Sequence, residues 1–184
     1  RGQGGTITGG SGALLRRGTA GKIANSLLMN FNTAGLRLAD DATAAQACVN
    51  HTTLKTSGTF LVAENSIVYN NGASGNTQVT ASLTTPNCTG DEWYDMLVTQ
   101  KGVLPTRGSG TGPDPLIDPT YPTDPSTGQF VPPGGSPLAT SPAADCHALD
   151  ASLDTTNYLG AFQPAGSNWL FPVPGSCWIN FAQN

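Results

Sequence analysis

The chain has 184 residues, of which 11% are charged, and a formal net charge of −4. Its 8 Lys and Arg are scattered, so they make no basic stripe for phosphates and argue against nucleic acid; the length allows one core and one domain, or a small second one. Gly (23) and Pro (14) together make about a fifth of the chain, which with frequent Asn, Thr and Ser is the composition of a turn-rich β protein rather than a disordered one.

The chain opens at Arg1 with no initiator Met, no apolar leader and no span long enough for a membrane, and is expected to be part of a longer polypeptide. Strand-sized apolar runs bounded by turn residues follow: Ala13-Leu14-Leu15, Ile23 to Phe31, Leu36-Arg37-Leu38 and Phe60 to Tyr69. An echo at an offset of 40 aligns Asn25-Ser26-Leu27-Leu28-Met29-Asn30 with Asn65-Ser66-Ile67-Val68-Tyr69-Asn70. Short strands with Asn at matching places suggest a solenoid. Asn25 with Asn65, and Asn30 with Asn70, are its expected stacking ladder. A hairpin meander is the competing reading, but no Asn-Gly or Asp-Gly pair sits cleanly between two alternating strands.

Two helices are expected among the strands. Asp40-Asp41 precedes an alanine-rich turn that Asp can cap. Thr89-Gly90-Asp91-Glu92 is a capping-box pattern, which with Trp93, Met96 and Leu97 predicts an amphipathic helix over 90–101. Residues 104–142 are rich in Pro, Gly, Thr, Ser and Asp, with Leu116-Ile117, Tyr121, Phe130-Val131 and Leu138 spaced like anchors. A linker is one reading; a docked wrap is preferred. The aromatic stretch 143–184, with Trp169, Phe171 and Trp178, is expected to cap the open end of a last coil. The chain thus divides into 1–103, 104–142 and 143–184.

Cys48, Cys88, Cys146 and Cys177 show no zinc spacing. Their even number favours two disulfides outside the cell, Cys48–Cys88 and Cys146–Cys177 by proximity among three connectivities. Four buried thiols in a cytosolic chain are the alternative.

Gly12-Ala13-Leu14-Leu15-Arg16-Arg17-Gly18-Thr19-Ala20-Gly21-Lys22-Ile23 and Thr33-Ala34-Gly35-Leu36 resemble coils of bacterial pectate-lyase-like right-handed parallel β-helix proteins, many of them surface lipoproteins. Asp114-Pro115-Leu116-Ile117-Asp118-Pro119 and the run from Pro132 to Leu138 share the resemblance, and Tyr158-Leu159-Gly160-Ala161-Phe162 with Asn168-Trp169 looks like the terminal motif that closes such chains. The resemblance implies an all-β right-handed parallel β-helix, its last coils only, with short flanking helices and an irregular C-terminal cap. It also implies a secreted or bacterial cell-surface location. The fold hosts lyases, hydrolases, adhesins and spikes, so it does not choose a function.

No catalytic constellation stands out. Asp40, Asp41, Arg37 and Lys55 come nearest to a lyase cluster, but adjacent Asp residues on a strand face opposite ways, and a helix cap explains them. Asp91, Glu92 and Asp95 could be sought as a hydrolase pair, yet a helix start accounts for all three. His51 and His147 are isolated. Gly108-Ser109-Gly110-Thr111-Gly112 lacks a P-loop's Lys-Ser/Thr. No cofactor is expected. Asp114, Asp118 and Asp124, or Asp145, Asp150 and Asp154, offer calcium-type oxygen donors without EF-hand spacing. Asn50-His51-Thr52 and Asn87-Cys88-Thr89 have the form of glycosylation sequons.

The expected function is a non-enzymatic extracellular structural, adhesive or filament-forming protein, self-associating or meeting another chain through its N-terminal coil face. The alternative is part of a polysaccharide-binding or polysaccharide-degrading enzyme whose groove lies upstream.

Overall fold

The computed structural model describes residues 10–72, 79–108, 113–116, 131–149, 151–153, 155–160 and 165. Its first strands are β1 (Ser11–Leu15), β2 (Gly21–Ala24) and β3 (Leu27–Met29). The apolar run from Ile23 to Phe31 does not form one strand, because Asn25 at φ 50° turns the chain between β2 and β3. Asn tolerates that left-handed conformation better than a branched residue does. Then come β4 (Ala34–Leu38), helix α1 (Asp41–Ala47) and a small antiparallel pair, β5 (Cys48–Asn50) with β6 (Thr53–Leu54).

The second pass repeats the first. Strands β7 (Leu61–Glu64) and β8 (Ile67–Tyr69) are separated by Asn65 at φ 43°. They pair in parallel with β2 and β3, placing Gly21 opposite Leu61 and Leu27 opposite Ile67. Short β9 (Val79–Thr80) joins β4, which gives the order β1-β4-β9. Helix α2 (Gly90–Lys101) starts on the expected capping box, with Glu92 N–H donating to the Thr89 hydroxyl and Thr89 N–H to the Glu92 carboxylate. It ends on Gly102 in the left-handed region, where glycine has no Cβ to clash. One-turn helices α3 (Pro137–Thr140) and α4 (Cys146–Leu149) follow.

The core is aliphatic with two aromatics. Leu36, Leu38, Leu61 and Val68 pack with Trp93, Tyr94 and Leu97 of α2. Cys48 and Cys88 form a disulfide in that core, at 1% and 0% exposure. Tyr94 donates its hydroxyl to Pro105 O, and burial pushes its pKa well up. A smaller cluster joins Ile67 to Leu138 and Leu159, so parts of the proline-rich segment and of the tail dock on β8.

This architecture corrects the expected class. The described strands form one three-stranded sheet and three two-stranded sheets, one of them antiparallel, with helices interspersed. That is a small mixed α/β arrangement, not an all-β right-handed parallel β-helix. The echo at 40 residues reports a pairing between two short layers; beyond β4 only the two-residue β9 continues the stack, and beyond β7 and β8 the end of α2 and Leu104 take that place.

Candidate interaction edge

The two layers differ at their outer edges. Toward the second layer, Gly21 N–H donates to Phe60 O at 2.9 Å, Asn25 N–H to Glu64 O at 3.3 Å and Asn30 N–H to Tyr69 O at 3.1 Å. The far side of the second layer is covered. Asn65 N–H donates to Lys101 O at 2.7 Å, Val68 N–H to Leu104 O at 2.8 Å, and Leu104 N–H to Ser66 O at 2.9 Å. Lys101 Nζ also lies 3.8 Å from Glu64 Oε2. On the first layer, no strand among the described residues pairs with the outer side of β1, β2 or β3. An unpaired strand edge is a template for another chain.

The asparagines at the layer corners do different work. Asn70 Nδ2 donates to Asn30 Oδ1 at 2.9 Å across the layers. Asn25 and Asn65 instead turn to the later chain: Asn25 Nδ2 donates to Ala144 O at 2.9 Å and lies 3.1 Å from Cys146 Sγ, while Asn65 Nδ2 donates to Pro142 O at 2.9 Å. Two buried groups to which the sequence assigned no corner role complete the corners. Asn71 accepts from Phe31 N–H at 2.8 Å and donates to Leu28 O at 2.7 Å; Ser66 Oγ accepts from Ser26 N–H at 3.1 Å. Ser66 stood in the echo itself; Asn71 lies one residue past it.

The other candidates do not converge. Asp40 caps α1 through Thr43 N–H, and the Arg17 N–H bond holds its carboxyl below the usual range. Asp41 is held low by the Thr84 hydroxyl and Thr85 N–H. Arg37 sits on β4, and Lys55 Nζ donates to Gln46 Oε1. On α2, Asp91 and Asp95 face Arg107, whose bond to Asp95 raises its pKa, and Glu92 meets His51 Nδ1 at 2.9 Å. His147 Nδ1 lies 3.0 Å from Leu153 O.

Asp114 Oδ1 accepts from Leu116 N–H, and Asp145 Oδ1 from His147 N–H. Asp118, Asp124, Asp150 and Asp154 lie outside the described residues, as do Ser109 to Gly112. Among the described residues no group of three His, Cys, Asp or Glu could hold a metal ion. No described helix is long and apolar enough to cross a membrane. Cys146 is without a disulfide among the described residues, and Cys177, Trp169, Phe171 and Trp178 lie outside them.

No protein-family model matches the chain, and comparison with curated proteins and with solved structures returns no match. The resemblance to pectate-lyase-like surface proteins therefore rests on the sequence motifs alone.

Proposed function

We propose that this chain is a non-enzymatic extracellular or cell-surface structural protein that self-associates through the open edge of β1, β2 and β3. The observation that carries the reading is the asymmetry of the two layers: β7 and β8 are bonded to the α2 end and Leu104, whereas no described strand pairs with the outer side of β1, β2 or β3, where Gly160 N–H meets only the corner carbonyl of Asn25. The buried Cys48–Cys88 disulfide supports an oxidising compartment.

If β1, β2 and β3 supply the edge, two copies meet most simply edge to edge about a twofold axis, their strands antiparallel, which closes the assembly as a dimer. Head-to-tail growth into a filament would require displacing Leu104 from Ser66 and Val68. Sedimentation velocity across a concentration series tests this. A dimer that dissociates on dilution is expected, and Ala24→Pro should abolish it. Ala24 alternates with Ile23 and Asn25, so its N–H points away from the second layer and proline there removes an outward donor. A parent chain that stays monomeric at every concentration overturns the proposal.

A further inference from the structure

Between residues 10 and 39 the chain carries Arg16, Arg17, Lys22 and Arg37, and no Asp or Glu. Among the described residues none of these cations forms an ion pair, whereas Lys101 pairs with Glu64 and Arg107 with Asp91 and Asp95. The nearest acids in sequence, Asp40 and Asp41, are committed to Arg17 N–H, Thr43, Thr84 and Thr85.

Two of the cations share a face. Leu14 is the register partner of Arg37 across β1 and β4. Leu15, Leu36 and Leu38 are buried, while Leu14 is 45% exposed, so Leu14 and Arg37 are the outward positions of this row. The ladder continues past β1, where Ala39 N–H donates to Leu15 O at 2.9 Å. Arg16, two residues after Leu14, therefore returns to the same face. The result is an outward row of exposed Leu14, Arg37 and half-buried Val79, with Arg16 beside Leu14 along the chain. Arg37 Nε is buried with no acceptor among the described residues, so this cation has lost part of its hydration without gaining a counter-ion. That strengthens its attraction for an incoming anion.

We infer that this face docks the protein peripherally on an anionic lipid surface, with Arg16 and Arg37 at headgroup phosphates and Leu14 at the boundary with the acyl chains. The patch is sparse, and a fluid bilayer suits a sparse patch because it supplies phosphates wherever the cations lie. A protein partner would need a larger apolar centre than one exposed leucine and a half-buried valine. A nucleic acid would favour an aromatic platform for its bases, which this row lacks. The inference does not depend on self-association, because it concerns the face of the sheet and not its edge.

The test is co-sedimentation of the whole chain with vesicles of mixed phosphatidylcholine and phosphatidylglycerol, beside vesicles of phosphatidylcholine alone. Binding to the mixed vesicles only is expected, weakening with salt. Arg16→Gln with Arg37→Gln should reduce it roughly 30-fold, Leu14→Ser several-fold, and Arg107→Gln not at all. Should the double variant lose its parent-like far-UV spectrum, Arg16→Gln alone, at an exposed site, carries the same test. Equal binding to uncharged vesicles, no binding to either, unchanged binding of the arginine variants, or displacement by inorganic phosphate or DNA at matched ionic strength overturns the inference.

Discussion

At the residue scale, the tightest constraint is a glycine. A Cβ on Gly35 would stand 2.3 Å from Val68 Cγ1 and 3.0 Å from Asn71 Nδ2, two buried side chains that cannot swing aside. Gly35→Ala should therefore cost about 1–3 kcal/mol, read as a lower Tm, while Gly10→Ala, with open space around it, should leave Tm unchanged. Acid sensitivity belongs to this scale too. The hydrogen bond from His51 and those from Thr89 hold the Glu92 carboxyl below the usual glutamate range. A carboxyl whose pKa is lower when folded contributes stability above its unfolded pKa and loses it as pH falls through the folded value. Stability should decline below about pH 4.5, and Glu92→Gln should flatten that decline in pH-dependent thermal melts. A Gln variant as acid-sensitive as the parent would assign the decline to other carboxyls, Asp40 and Asp41 first.

At the scale of elements, the sequence was most legible where chemistry is local. Thr89 and Glu92 lie three apart, so the start of α2 could be read without any tertiary contact, and Thr89→Ala should lower stability by about 1 kcal/mol. The paired Asn-Ser-apolar segments announced that residues 25–30 and 65–70 would stand together. The strand break at Asn25 and Asn65 was less visible, because both lie inside apolar runs and only a positive φ reveals the corner. The partners of those two amides, Ala144 and Pro142, lie more than 70 residues away in sequence, and no periodic pattern points that far.

For the whole molecule, two echoing segments suggested many stacked coils, yet repetition in sequence specifies pairing between two copies of a motif and not the number of layers. What decides the architecture is α2, whose own pattern says helix but not that its end would sit on the second layer's edge. The same feature left the candidate interaction edge out of reach of sequence reading, since an edge is open or closed only by virtue of what lies beside it. Like-charged first layers give the proposed dimer a distinctive response: screening should tighten it as salt rises, whereas vesicle binding should weaken. Sedimentation at two ionic strengths checks the first.

The disulfide has a mechanical side as well. Cys48 and Cys88 are 40 residues apart, and the segment between them contains β5 to β9. In the unfolded chain such a cross-link removes loop entropy worth about 4 kcal/mol. Under tension it does something different: force applied to the chain outside the loop passes through the sulfur bridge, and the bridged segment carries none. Pulled from both ends, an oxidised molecule should be shorter at full extension by roughly 13–14 nm than a reduced one. A protein that anchors or joins surfaces would in this way keep five of its nine described strands slack while the remainder yields, and single-molecule pulling with and without reductant would measure the difference.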